Sequence, residues 1–276
     1  MEILKTISGA ARFIAFWVAV IVQLPIIVLI PTGKLSVGYA RIFWKILMKI
    51  TGVKTKVSGE KLSNARPLML VSNHISVFEF PVFQIVFGTG YFGKAEIAKM
   101  PLVGYIARKI GVVFIDRNPR TAVQTTEKIN KVMACVSYPM TIFPEGTTNN
   151  GNFIYPFKTA MFDVVDKVRG ITIQPVVMIY RDKNGKKLGE QEIADDYSYP
   201  DNKKIEKYNT DFGKKERLVK KERSAFGQVF HIMKMGGMIV ELKVLKPFKY
   251  QGMDRKEIAS ALHGIINDEF MKLKDK

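Results

Sequence analysis

From Phe13 to Ile30 the chain runs for 18 residues without a charge, broken only by Gln23 and Pro25. That length stands at the lower edge for a bilayer span. Lys5 and Arg12 precede the run, as in a signal peptide, but no small-x-small cleavage site follows Pro31-Thr32-Gly33, so the segment is read as retained. Lys34, Arg41, Lys45 and Lys49 lie on its other side, and the positive-inside rule gives no orientation for a simple span. Between Leu35 and Ile50, Arg41, Lys45 and Lys49 recur every four residues, while Ile42, Phe43, Ile46, Leu47 and Ile50 cover the opposite side. That is the pattern of an interfacial helix. Two arrangements stay open: a helix pair turned at Pro31-Thr32-Gly33 and anchored in one leaflet, or a transmembrane helix followed by a surface helix. Residues 1–52 are read as the membrane anchor and 53–276 as the catalytic domain.

The rest of the chain suits one domain of about 200–250 residues. Lys and Arg number 43 against 25 acidic residues, a net charge of +18, which calls for an anionic partner without choosing among nucleic acid, anionic lipid or an acidic carrier protein. The single Cys135 excludes an internal disulfide; it falls in a predicted helix, where buried packing is the expectation. His74, His231 and His263 are scattered, so no zinc signature and no metal site is expected.

Apolar strands alternate with helices. Val53–Ser58 reads as an edge strand, with buried strands at Pro67–Val71 and Met140–Phe143, further strands at Gly111–Arg117 and Met238–Val244, and an apolar stretch over Ile171–Tyr180. Helices are expected over Val77–Phe87, up to Lys109, over Thr121–Ser137, through Val168, and over Asp254–Phe270. The lysine-rich stretch 181–234 reads as a solvated helical face. The class is α/β: a mixed, mostly parallel sheet flanked by helices, behind an N-terminal membrane-anchoring helical segment.

The chemistry is expected in Ser72-Asn73-His74-Ile75-Ser76-Val77-Phe78-Glu79, between a strand and a helix. A His is the natural proton acceptor near neutral pH, and a carboxylate on its far nitrogen would fix the tautomer. On one regular helix, five positions would set the two side chains about 140° apart. They can meet only with His74 in the turn and Glu79 in the first helical turn. Ser76-Val77-Phe78-Glu79 fits a capping box with Ser76 as N-cap and Glu79 at N3. The competing reading is structural: Glu79 caps a helix and His74 is a polar loop residue.

Asn73-His74 followed after four residues by an acid resembles the first motif of the glycerolipid acyltransferase family, which normally has Asp where Glu79 stands. Lys94, the Pro101/Gly104 pair and Phe114-Ile115-Asp116-Arg117 resemble its second motif. Phe143-Pro144-Glu145-Gly146-Thr147, about 70 residues after His74, matches the third, and the apolar stretch around Gln174-Pro175-Val176-Val177 resembles the fourth. The resemblance spans roughly Val53 to Lys246. It implies that Lys94 and Arg117 help hold the polar head of an acyl acceptor, since a guanidinium fork matches phosphate oxygens. Glu145, Gly146, Thr147 and Thr148 would line the acceptor site, with Glu145 ordering the loop or touching the acceptor rather than acting as base. Pro175 could shape an acyl pocket or sit at a strand start or bulge. The family often has Arg where this chain has Thr148, which bears on the acceptor.

The implied activity is O-acyl transfer without a cofactor. His74, oriented by Glu79, deprotonates a lysophospholipid hydroxyl, and the oxygen attacks a thioester of coenzyme A or acyl carrier protein. The first expectation for the acceptor is 1-acylglycerol 3-phosphate; the rival is another lysolipid such as lyso-ornithine lipid. A non-catalytic lipid-binding protein is the alternative from another class. Anionic membrane lipids are expected partners and nucleic acid is not, because no nucleic-acid module is recognised. The expected setting is the inner, cytoplasmic membrane, with the catalytic domain on the cytoplasmic side.

Overall fold

The computed structural model describes residues 2–100, 103–115, 122–146, 148, 151–168, 170–188, 204–210, 213–219 and 225–274. Its helices are α1 (Glu2–Leu29), α2 (Lys34–Thr51), α3 (Glu79–Phe87), α4 (Ala95–Ala98), α5 (Val103–Lys109), α6 (Ala122–Cys135), α7 (Asp163–Lys167), α8 (Ala225–Met235) and α9 (Arg255–Lys274). Its strands are β1 (Val53–Gly59), β2 (Leu68–Ser72), β3 (Gly90–Lys94), β4 (Val112–Ile115), β5 (Met140–Ile142), β6 (Thr172–Arg181), β7 (Lys204–Thr210), β8 (Gly213–Val219) and β9 (Met238–Val244). Seven strands form one sheet in the order β1-β9-β6-β2-β5-β3-β4. Among the described residues of this sheet, only the β6/β9 pair is antiparallel.

Alternation along each strand divides the core into two layers. Leu68 and Leu70 of β2, with Val176, Met178 and Tyr180 of β6, face a cluster that includes Phe16 and Ile27 of α1, Phe43, Leu47 and Met48 of α2, and Phe83 of α3. Met69, Val71, Val177 and Ile179 face the other cluster, with Ile258, Leu262, Ile266 and Phe270 of α9. A strand covered on both faces has no polar side, which is why β2 is an unbroken apolar run up to Ser72. At the sheet edge, β1 is exposed beyond Val53.

The N-terminal helices pack on the α/β body. Near its start, α1 comes so close to α8 that a Cβ on Gly9 would stand 3.1 Å from the Lys234 Cα. Edge-to-face packing of Phe13 on Phe230, at 5.5 Å between centroids, continues the contact. At the other end, Tyr105 and Lys109 of α5 donate to the Val28 and Ile30 carbonyls, which a helix end leaves without partners. A body that holds both ends of α1 has the helix lying along it. Ile3, Ile7, Ile14, Val18, Ile21 and Leu29 remain exposed on the outer side.

Several expectations change. The apolar side of α2 is split: Phe43 and Leu47 are buried in the core, while Ile42 and Ile46 stay exposed. Arg41 does not only point to solvent; it donates to the Ile85 carbonyl of α3 at 2.9 Å, and Gln84 reaches the Val37 carbonyl. Within 181–234, the expected helical face is instead an antiparallel ribbon, β7 with β8, followed by α8. Its alternating charges carry no apolar period that would separate strand from helix. Cys135 is exposed at the end of α6. Pro175 lies inside β6, where register with β9 begins only at Val176, so its missing N–H takes no bond from the β6/β9 ladder.

Candidate active site

Parallel strands β2, β5 and β3 end at one edge of the sheet, the usual location of ligands in open α/β folds. Val71 is level with Ile142, so the His74 turn and the Phe143–Gly146 loop leave the sheet side by side. Asn73 fixes the turn. Its side chain donates to the Met178 carbonyl at 3.0 Å and accepts from the Met178 N–H at 2.9 Å, occupying a backbone pair of β6.

His74 and Glu79 meet. The His74 Nδ1 is hydrogen-bonded to Glu79 Oε2, with the imidazole 14% exposed and the carboxylate fully buried. Helix α3 starts at Glu79 with Phe78 as N-cap, not at Ser76. The reciprocal bond expected of the box forms nonetheless: Ser76 N–H donates to Glu79 Oε1, joined there by Ile75 N–H at 2.7 Å. The turn before the helix closes on the carboxylate and leaves its other oxygen for His74, which resolves the 140° problem.

Aromatic rings fix the imidazole. Phe143 stacks on it at 4.8 Å between centroids, and Phe80 meets it edge-on at 6.1 Å. Glu145 is buried beneath the turn, accepting from His74 N–H at 2.6 Å and from Tyr155 N–H at 2.8 Å. It orders the two loops and does not line the cavity beside His74.

That cavity has a volume of about 700 Å³ and is almost wholly apolar. His74, Phe80, Tyr91, Gly93, Phe143 and Gly146 form the end near the dyad; Phe16, Trp44, Met48, Phe226 and Val229 belong to α1, α2 and α8. Tyr91 donates to the Phe80 carbonyl at 2.6 Å, and burial holds its phenol well above the ordinary value. Gly93 is required by space, because a Cβ there would come 2.7 Å from Val112 Cγ1.

Gly146 lines the cavity with a φ of +66°, and a Cβ on it would lie 2.5 Å from Lys158 Nζ. An ammonium therefore stands at the wall of the Phe-Pro-Glu-Gly loop. The Lys158 N–H also donates to the Pro144 carbonyl at 2.9 Å, tying the segments together. Sequence reasoning passed over Lys158 as part of a connection. Thr148 is half-buried. Lys94 ends β3 level with Ile115; Arg117 and Thr147 lie outside the described residues.

A family model described as Acyltransferase matches residues 54–179. The lyso-ornithine lipid O-acyltransferase of Brucella abortus is 33% identical over 168 residues, which cover 56% of this chain and 62% of that protein. The 1-acyl-sn-glycerol-3-phosphate acyltransferase of Neisseria gonorrhoeae is 29% identical over 133 residues, covering 46% of this chain and 50% of its own. The matched stretch thus spans less than two thirds of either curated relative. The crystal structure of the 1-acyl-sn-glycerophosphate acyltransferase PlsC of Thermotoga maritima covers 99% of this chain with a TM-score of 0.63 at 17% identity, a likeness of fold.

Proposed function

We propose that the chain is a member of the acyltransferase family, as the match of that family's model to residues 54–179 supports, and that it moves a fatty acyl group from an acyl thioester to the hydroxyl of a membrane lysolipid. The observation that carries this reading is the His74–Glu79 pair set in the wall of an apolar cavity of about 700 Å³, a size within the ordinary range for ligand pockets.

Glu79 accepts the Nδ1 proton, which leaves Nε2 as the proton-accepting nitrogen. Nε2 takes the proton of the acceptor hydroxyl as its oxygen attacks the thioester carbonyl. The carbon–sulfur bond breaks, and the thiolate leaves with the proton returned by Nε2. Glu79 stabilises the imidazolium in between. The apolar lining accommodates the acyl chain and keeps water from competing with the hydroxyl.

For the acceptor, lyso-ornithine lipid is the favoured reading. Thr148 replaces a guanidinium suited to phosphate, and the Brucella relative's name supports the same choice. Lys158, whose ammonium stands beside Gly146 of the cavity wall, is the cation to test against the ornithine carboxylate. The second reading is 1-acylglycerol 3-phosphate, favoured by the name of the Neisseria relative. The packing of both ends of α1 on one body supports the one-leaflet arrangement over the spanning one. The helix lies in one leaflet, with Ile14, Val18 and Ile21 toward the acyl chains. The catalytic domain is taken to sit on the cytoplasmic side.

The test is thiol release by the purified protein, given acyl-coenzyme A or acyl carrier protein with each acceptor. Wild type should release thiol with lyso-ornithine lipid and His74→Ala should not. Equal lipid binding by both, with no thiol from either, would mean a lipid-holding protein.

A further inference from the structure

Tyr180 stands 101 positions after Glu79, on β6, yet its hydroxyl donates to Glu79 Oε1 at 2.9 Å. It is 1% exposed. Burial, with the negative charge of Glu79 adding, holds its phenol well above the ordinary value, so it remains a donor across any working pH. Its oxygen lies 2.9 Å from Ser76 Oγ. Because the phenolic proton is committed to Glu79, the serine must donate in that contact, and Ser76 Oγ in turn accepts the Phe78 N–H at 3.1 Å. The result is a directed chain: Phe78 N–H to Ser76 O–H to Tyr180 O–H to Glu79. Each bond polarises the next.

We infer that Tyr180 is a positioning residue for the transfer reaction, acting through Glu79; the inference rests on the catalytic reading of the His74–Glu79 pair. Glu79 Oε1 receives three donors, Ile75 N–H, Ser76 N–H and Tyr180 O–H, while Oε2 faces His74. The two backbone donors belong to the same turn as His74 and move with it. Tyr180 is anchored in the sheet, in register with Val240 of β9. It ties the carboxylate to the rigid part of the fold. It also draws off part of the carboxylate charge, and so sets how strongly the imidazolium is stabilised. Touching neither substrate, it differs from His74 in kind.

The experiment compares wild type, Tyr180→Phe, Ser76→Ala and His74→Ala, full length, by thiol release across pH. The phenylalanine keeps the ring in place, and an unchanged melting temperature confirms the fold. In Tyr180→Phe, kcat should fall about tenfold with both KM values unchanged. Without the donor the carboxylate keeps its full charge, the imidazolium holds its proton more tightly, and the acidic limb of the kcat profile should move up by about half a unit. Ser76→Ala should shift the limb the same way by less. A drop in kcat with the limb unmoved or lowered would reduce Tyr180 to packing and overturn the inference, as would activity within twofold of wild type. Wild-type protein without His74-dependent thiol release would sink the catalytic reading and this inference together.

Discussion

Replacing Glu79 by Gln removes one charge and no atoms of bulk, and the surrounding donors dictate how the amide must sit. Oε1 receives two N–H groups and the Tyr180 hydroxyl. An amide nitrogen placed there would face three donors in a fully buried site, a conflict of about 1–3 kcal/mol for each unmet group. The amide oxygen therefore takes that place, and the NH₂ is driven toward His74 Nδ1. The imidazole must then accept at Nδ1, so its proton moves to Nε2, the nitrogen that needs a lone pair to serve as base. The loss is one of tautomer as well as charge. The corresponding Asp-to-Asn change in a serine-protease triad, which also leaves geometry intact, lowers kcat by about 10⁴. At about 1.36 kcal/mol per decade, a fall of about 10³–10⁴ here corresponds to about 4–5.5 kcal/mol of lost transition-state stabilisation. Thiol release under saturating thioester and lysolipid measures it, with melting temperature and lipid binding as controls. A Glu79→Gln protein that folds, binds lipid and retains more than a tenth of wild-type kcat would refute the tautomer argument and the role of His74 as base.

Lys158→Ala should raise the acceptor KM about tenfold while leaving the thioester KM unchanged, because the lost ammonium stands at the loop wall rather than in the dyad. Asn73→Ala exposes both polar groups of Met178 inside the core; a loss of about 2–4 kcal/mol is expected, read from denaturant unfolding. Ile14→Lys with Val18→Lys, both exposed and outside the core, should release the protein from liposomes in flotation at about 2–3 kcal/mol per change, with melting unaltered in detergent. Tyr91 has its folded pKa raised above the unfolded value of about 10 by burial. Its stabilising contribution is therefore whole below pH 10 and is lost as pH climbs toward the folded value. The melting-temperature gap between wild type and Tyr91→Phe should narrow above pH 10.

Local order was legible where one physical requirement ruled. A strand buried on both faces must be apolar throughout, and Leu68–Val71 is; the turn after it was therefore placed correctly, with its His and its acid. The dyad was legible because Ser76 and Glu79 lie close enough in sequence for a local hydrogen bond to decide their geometry. Tyr180 and Lys158 carried no such signal. Their contacts with Glu79 and Gly146 depend on β6 lying beside β2 and on the chain returning past Pro144, facts of topology that no local period encodes. The ribbon β7–β8 was misread for the opposite reason: Lys- and Glu-rich segments favour helix when only propensity is weighed, and pairing between the two strands overrides it. Cys135 was expected in the core because free cysteines usually are buried, but it falls at the open end of α6.

The two halves of the sequence reading, an anchor and a catalytic domain, meet in the same cavity. Phe16 of α1 and Trp44 and Met48 of α2 line it together with His74, and the same helices expose Ile14, Val18 and Ile42 on their outer side. On the proposed function, an acyl chain passing from a bilayer into this cavity would meet the apolar sides of these helices rather than bulk water. At about 0.8 kcal/mol for each methylene exposed, a route through water would cost a long chain more than most binding sites can return. If the proposed function holds, lining the pocket with α1 and α2 removes that cost, and this gives a physical reason for the two helices to pack into the core rather than hang from it on a tether.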